Sequence, residues 1–415
     1  MENKKILFVI DTYDTSNNGT SISAQRYASE LRRRGHEVKI LTAGEPGEDK
    51  FVVPNFTMPI FQPLMDKHNF DFAKFWGEEA LSVIKQAVEW SDIVHCFLPF
   101  ALETTAQRYA IKIGKPCTGA FHMQPENMTS SVGMGKVDWF NELFYNEFRR
   151  NMYDRFHHVH CVSEFMANTI RERGYKAKLH VISNGIQDDF IEAGKRKGER
   201  LKVKGERKED NLIKIMMIGR LSREKRQDVI IDAVKYSKYG DKIQLVFAGK
   251  GPEYERYLEM GKALKHEPRF IYVGKEELIK ELLETDLYVH ASDMESEAIS
   301  CIEAFATGLV PVIANSDNSA TPQFALDGRS LFMPGNPKDL ARAIDYWIEH
   351  PEERIQMGRR YAEEAKKYTL AEVVTKFEEM LNEEIHDHET VPHIIAAPRR
   401  HESIGYKIRH FAALL

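Results

Sequence analysis

Ser292-Asp-Met-Glu295-Ser-Glu297-Ala298-Ile299-Ser-Cys-Ile-Glu303-Ala-Phe-Ala-Thr-Gly308-Leu-Val-Pro-Val312-Ile-Ala314 reads as a loop, a short helix and a buried strand in direct succession. Ile299 to Thr307 has the composition of a packed helix, Gly308 supplies the left-handed residue that closes it, and Val310 to Ala314 is an apolar run of strand length. A helix leading straight into a fully apolar strand is the repeating unit of a parallel α/β sheet. The same stretch sets Glu295 before the helix and Glu303 inside it. On one continuous helix these carboxylates would be about 12 Å apart along the axis and rotated off a common face. They serve one ligand only if the loop folds back over the helix start. The free amides of Ser296 to Ile299 then face the same space, so phosphate oxygens and hydroxyls both find partners.

The alternation continues in both directions from this stretch. Ile6 to Ile10 reads as a strand, and Ser23 to Arg34 as a helix with Ala24, Tyr27, Ala28 and Leu31 on one face. Gly35 closes that helix, and strands follow at Val38 to Leu41, Ile93 to Phe97, Cys117 to Phe121, Val159 to Val162 and Leu179 to Ile182. A second series runs through Leu212 to Ile218, Ile243 to Ala248, Phe270 to Val273, Leu287 to His290 and Val310 to Ala314. Between the two series, Lys195 to Lys208 is strongly basic with few apolar residues and reads as a linker or exposed excursion. The expected organisation is a first doubly wound domain over 1–185, a charged linker over 186–211, a second domain over 212–367, and a crossover helix with a tail over 368–415.

A chain of 415 residues exceeds what one core usually supports, which agrees with two domains. Hydrophobic residues make up 42% and charged residues 29%, as in ordinary globular proteins. The net charge of −5 gives no global reason to bind nucleic acid. No apolar run reaches membrane-spanning length, and Ile6 to Ile10 is a first strand rather than the core of a signal peptide. Cys96, Cys117, Cys161 and Cys301 show neither disulfide nor zinc spacing, which fits a reducing cytoplasm. The sixteen histidines form no ligand cluster legible in sequence, so no metal site is expected.

Gly219-Arg220-Leu-Ser-Arg-Glu-Lys225-Arg-Gln-Asp228 follows a buried strand and opens a helix, and Phe121-His122-Met-Gln-Pro-Glu-Asn127 places His122 at a strand's C-terminal edge, where such sheets bind ligands. With the acidic stretch, these segments resemble the retaining glycosyltransferases of the GT-B fold. That resemblance implies two Rossmann-like domains facing a cleft, and a nucleotide sugar as donor. It also implies that Arg220 and Lys225 hold the diphosphate without a metal, an Arg gripping two oxygens and a Lys acting as a point charge. Glu303 would accept from the ribose hydroxyls and Glu295 would contact the donor sugar. The amides around Ala298 and Ile299, with Gly219 behind them, would hold sugar and phosphate, and His122 would orient substrates. Ser296-Glu297-Ala298 replaces the family's usual small and aromatic residues, which makes Glu297 a further candidate. Asp11-Thr-Tyr-Asp-Thr-Ser-Asn-Asn-Gly19 resembles the family's glycine loop beside the donor phosphates, Gly19 permitting close approach, or is a simple turn.

The His-x-Gln-Pro-Glu-Asn string and the Glu-Ser-Glu-Ala-Ile-Ser-Cys-Ile-Glu version of the acidic motif are similar to bacterial enzymes that glycosylate diacylglycerol. This narrower resemblance implies UDP-glucose as donor, a lipid acceptor and peripheral contact with anionic membrane on the cytoplasmic side. A soluble saccharide or cell-surface glycan precursor is the alternative acceptor, and a non-catalytic sugar-nucleotide-binding protein the alternative of another class. The aromatics between Val137 and Met152 recur at helical spacing beside Arg149 and Arg150, a pattern that either lies at a bilayer surface or packs into its own domain. The basic tail from Val391, ending in Phe411-Ala-Ala-Leu-Leu415, is a peripheral anchor, a segment docked on the first domain, or disordered.

Overall fold

The computed structural model describes residues 3–14, 19–56, 72–130, 135, 137–204 and 212–390. The chain divides into two units, one formed by residues up to Ser183 together with the chain from Val374, the other by Asn184–Val373.

In the first unit, β1 (Lys5–Val9), β2 (Glu37–Ala43), β3 (Lys50–Val53), β6 (Ile93–Cys96), β7 (Cys117–Phe121), β8 (His158–Cys161) and β9 (Lys178–Val181) form one parallel sheet in the order β3-β2-β1-β6-β7-β8-β9. The short strands β4 (Asn55–Phe56) and β5 (Phe72–Ala73) pair antiparallel beside it. β6, β7 and β8 are buried at every position, His95, Thr118, His158 and His160 included, as in a parallel sheet covered on both faces. Helix Gly19–Arg33 buries Ala24, Tyr27, Ala28 and Leu31, the face expected from periodicity, and Gly35 follows with φ +98°. The closing helix Leu370–Thr390 returns to this unit from Val374 onward. Its Phe377 packs edge-on against Phe8, while Glu378 accepts from Arg34 and from His36 Nε2 at 2.9 Å.

In the second unit, β10 (Ile213–Ile218), β11 (Ile243–Ala248), β12 (Arg269–Ile271), β13 (Leu287–His290), β14 (Pro311–Ala314) and β15 (Leu331–Phe332) form a parallel sheet ordered β12-β11-β10-β13-β14-β15. The chain winds outward from β10 to one edge, then crosses to β13 and winds to the other. The C-terminal ends of β10 and β13 thus flank the point where the winding reverses.

The segment expected as a linker differs. Asp188–Lys204 is a helix whose Phe190, Ile191 and Ala193 are buried in the second unit's core. A Cβ on Gly194 would stand 2.1 Å from the Ala306 carbonyl oxygen, so two helices meet there at glycine contact. Lys197 of the basic run donates to the Thr285 carbonyl at 3.0 Å, just past the C-terminus of helix Lys275–Glu284, where a cation is favoured. The basic run dominates the sequence there, while the apolar residues that precede it, Phe190, Ile191 and Ala193, are what seat the helix. Residues 205–211 and the basic tail over 391–415 lie outside the described residues.

Candidate functional site

The winding reversal in the second unit is where an open α/β sheet binds ligands, and the loops after β10 and β13 are tied together there. After β10 the chain runs through Gly219 and Arg220 into a single 3-10 turn, Arg223–Lys225, and then through Arg226 in the left-handed region at φ 55°. Gln227 Nε2 donates to the Arg220 carbonyl at 2.9 Å, and Tyr257 OH donates to the Ser222 carbonyl at 3.0 Å. The loop after β13 is joined to this turn by Asp293 N–H donating to the Glu224 carbonyl at 2.8 Å and by the Arg226–Asp293 ion pair at 3.2 Å. Gly249 and Gly251 let the loop after β11 approach. A Cβ at either would stand about 2 Å from a carbonyl oxygen of Gly219 or Leu221.

Within this frame Lys225 Nζ lies 2.5 Å from Glu295 Oε1, and His290 Nε2 lies 2.9 Å from the same oxygen. Tyr288 OH is 3.2 Å from His290 Nδ1, so a chain of polar contacts runs from inside the sheet to the carboxylate. Burial pushes the Glu295 carboxyl up, but the Lys225 charge together with the His290 hydrogen bond and charge outweighs it and holds the group well below the usual carboxylate range. Glu295 is therefore an acceptor at neutral pH. Its own carbonyl accepts from Ala320 N–H at 2.8 Å, which pins the loop at that residue. Gly219 leaves room for the Lys225 stem, whose Cδ would be 3.8 Å from a Cβ there. Arg220 is exposed, and its guanidinium has no hydrogen-bond or ion-pair partner among the described residues.

Ala298, at φ 73° and ψ 66°, caps helix Ile299–Ala306. With Arg226 it is one of two non-glycine residues at positive φ among the described residues, and both flank this site. The left-handed residue turns the chain from the acidic loop into this helix. Ile299 opens the helix half-buried, and Glu303, one turn later at i+4, is on the same face and largely buried. Glu297 takes a different direction. Its Oε2 accepts from Asn184 N–H at 3.0 Å and from Asn184 Nδ2 at 2.6 Å, and the residue is 3% exposed. Its carboxylate thus fastens the first residue of the second unit to this loop.

His122 and Gly19 belong to the first unit. His122 follows β7, stacks on Phe97 at 5.5 Å and lies 5.1 Å from the His160 ring. Burial, and then the charge of His160, depress its pKa well below the ordinary histidine value, so the imidazole is neutral. Its Nε2 has no hydrogen-bond partner among the described residues. Gly19 opens helix Gly19–Arg33 with nothing within 4 Å of where a Cβ would stand. The preceding residues 15–18 of the expected glycine loop lie outside the described residues. In the aromatic helix, Asp138–Asn151, Phe144, Tyr145 and Phe148 pack inward while Trp139 is 65% and Leu143 47% exposed.

Sequence reasoning missed His290, Tyr288 and Gln227, which hold Glu295 and Arg220 rather than face outward. A signal existed for His290, a histidine at the last position of an otherwise apolar strand leading into the acidic loop. It also missed a cluster in the first unit, where His158, His180 and Glu383 offer ligand atoms within 4.8 Å of one another.

Residues 199–368 match the family described as Glycosyl transferases group 1, and residues 17–190 match Glycosyltransferase Family 4. The alpha-monoglucosyldiacylglycerol synthase of Streptococcus pneumoniae is 26% identical over 317 residues, 74% of this chain and 70% of that protein. Among solved structures, Anabaena HepE in complex with UDP-glucose superposes with a TM-score of 0.68 at 15% identity, covering 92% of this chain and 100% of that one. The catalytic domain of cholesterol-alpha-glucosyltransferase from Helicobacter pylori is 50% identical, covering 38% of this chain and 99% of that one, with a TM-score of 0.37.

Proposed function

This chain belongs to the GT-B glycosyltransferases through its group 1 and family 4 domains, and on that premise we propose that it is a retaining enzyme moving glucose from UDP-glucose to a lipid hydroxyl such as that of diacylglycerol. The observation that carries the donor half is the junction of Lys225, Glu295 and His290 at the winding reversal of the second sheet. Breaking the bond between the anomeric carbon and the diphosphate leaves an electron pair on a phosphate oxygen. Arg220 and Lys225 stabilise that charge without a metal. A single cation at 4 Å supplies a Coulomb term of roughly 4 kcal/mol at partial screening. Glu295, ionised by its two partners, accepts from donor-sugar hydroxyls. Glu303 accepts from the ribose, and the amides at Ala298 and Ile299 meet sugar and phosphate. Glu297 acts behind them, holding the loop through Asn184.

The acceptor hydroxyl attacks on the face the diphosphate leaves and passes its proton to the departing phosphate oxygen. His122, neutral and buried, orients the reacting sugar and is not the base. A lipid acceptor is supported by the name of the pneumococcal relative and by Trp139, Leu143 and Arg150, exposed along one helix of the first unit. The contact we propose is peripheral, on a cytoplasmic membrane face; no helix among the described residues is long and apolar enough to cross a membrane.

Purified protein given UDP-glucose with diacylglycerol or a sterol in mixed micelles, and in parallel with soluble saccharides, tests this by product mass. Glucosyl transfer to diacylglycerol is the expected result. Transfer to saccharides alone overturns the lipid acceptor. Consumption of no nucleotide sugar under any condition overturns the enzymatic reading in favour of a binding protein.

A further inference from the structure

At the β9 edge of the first unit's sheet, His158 on β8 and His180 on β9 lie on one face, their ring centroids 5.0 Å apart. His158 Nδ1 and His180 Nε2 point at each other across 2.8 Å. Glu383, on the closing helix, brings Oε2 to 3.7 Å from both nitrogens. One helical turn on, Asp387 Oδ2 lies 3.0 Å from His158 Nε2. We propose that His158, His180 and Glu383 form a site for a divalent transition cation of the zinc class, which clasps the closing helix to the sheet edge.

Three features of the geometry support this. First, ligand atoms about 2.0–2.1 Å from a tetrahedral zinc ion stand about 3.3 Å from one another, and the observed separations of 2.8, 3.7 and 3.7 Å bracket that value. The triangle closes on an ion with sub-ångström shifts. Second, Asp387 accepts the Nε2–H of His158, which fixes the tautomer with the Nδ1 lone pair turned into the cluster. Metal-binding histidines are oriented by an outer carboxylate in the same way. Third, burial is graded as a clasp needs. The His158 side chain is 1% exposed and that of Glu383 44%, so the site has a rigid floor and an open fourth position for water.

Lys178 is the resident competitor. Its ammonium lies 2.5 Å from Glu383 Oε2, but its side chain is 60% exposed and swings into solvent without crossing the core. The ligands come from residues 22 and 203 apart in sequence, so no short motif announces them. They meet because the chain from Val374 returns to the first unit.

The test uses the full chain, stripped with chelator and titrated with zinc chloride by calorimetry at neutral pH, with thermal melting as a second readout. One equivalent bound and a raised melting temperature are expected. His180→Gln and Glu383→Gln, both at partly exposed positions, should lose the binding event while melting as the metal-free parent does. Asp387→Asn, which leaves all three ligands in place, should weaken binding about tenfold to a hundredfold. Zinc binding that is substoichiometric, or equally tight in His180→Gln and Glu383→Gln, overturns the proposal and marks adventitious binding to other surface groups. Cobalt binding followed by visible absorption provides a spectroscopic check on the same variants: a tetrahedral d–d band present in the parent and absent from Glu383→Gln supports the site, and no band in the parent counts against it.

Discussion

The Lys225 ammonium and the Glu295 carboxylate form a 2.5 Å ion pair between the two loops that flank the winding reversal, one following β10 and the other β13. The pair is largely buried, with side chains 20% and 12% exposed. Removing one member leaves the other charge under-compensated, which costs on the order of 3 kcal/mol. Lys225→Ala should therefore lower both stability and turnover, the latter about a hundredfold to a thousandfold. Adding Glu295→Gln should restore most of the stability and none of the turnover. Urea melts alongside steady-state kinetics separate the two effects, and a double variant that regains activity would remove Lys225 from the chemistry.

Glu303 predicts a different kinetic signature. A carboxylate that accepts from the ribose acts equally on bound donor and transition state, so its loss weakens binding and leaves the chemical step alone. Glu303→Ala should raise KM for the donor with little change in kcat. A variant with an unchanged KM and a depressed kcat would move Glu303 from nucleotide binding to the reacting centre.

Acid should dissect the same junction. The folded Glu295 carboxyl is held below its ordinary value of about 4.3, chiefly by Lys225 and His290 acting against burial. Its contribution to stability is then complete above that ordinary value. It is lost as pH falls through the depressed one, because the unfolded chain takes up the proton first. The stability gap between the parent and Glu295→Gln should stay constant above about pH 5 and close progressively below about pH 4. Denaturant midpoints measured from pH 3 to 8 would show it, and a gap that instead grew toward acid would contradict the assigned ionisation.

Much of this arrangement was legible in the sequence because it is local. Gly308 closing a short helix before Pro311–Ala314, and Glu295 and Glu303 astride the start of that helix, are features of a single twenty-residue window. Parallel strands buried on both faces announce themselves as apolar runs, so most of both sheets could be placed. The losses were of two kinds. β3 and β15 are short edge strands whose apolar character is interrupted by polar neighbours, and they escaped notice. Glu297 stands in the acidic motif beside Glu295, but its direction is set by Asn184, 113 residues earlier in the chain. The helix at Asp188–Lys204 hides from a sequence reading because its basic run is conspicuous and its apolar residues, Phe190, Ile191 and Ala193, are few. Side-chain direction and long-range pairing are tertiary facts that periodicity does not encode.

The first unit holds a buried pair of acidic groups, Asp11 and Glu103, whose pH dependence has the opposite sign to that of Glu295. Burial pushes Asp11 up to about 6 against the hydrogen bond its Oδ1 accepts from the Ala73 amide, while burial and then the Asp11 charge raise Glu103 well above its ordinary value. Here the folded state holds protons that the unfolded chain has released. Stability is therefore greatest below the ordinary carboxylate range and falls as pH rises through 6. Asp11→Asn keeps an oxygen for the Ala73 amide and removes that ionisation. It should stabilise the protein by about 2 to 3 kcal/mol at pH 8, with little effect at pH 4. Equal effects at both pH values would mean that the gain came from packing.

The strained turn at Ala298 and the glycine contact at Gly194 bear on the same helix, Ile299–Ala306, from its two ends. A non-glycine residue in the left-handed region costs about 1 to 2 kcal/mol, and Ala298 holds that conformation where the acidic loop turns into the helix. Ala298→Gly relieves the strain but adds freedom to the unfolded chain, offsets of similar size, so its melting temperature should change little. Ala298→Val adds a branched side chain to an already disfavoured backbone at a position 8% exposed, and should destabilise by more than the original strain. Gly194→Ala attacks the far end of the helix, where a Cβ would meet the Ala306 carbonyl at 2.1 Å and force the two helices apart. Ala298→Val and Gly194→Ala should both weaken donor binding without touching any donor-facing side chain, because each shifts the helix that carries Glu303. Donor affinity measured by calorimetry on the folded variants decides it: unchanged affinity in both would show that the position of this helix does not govern the site.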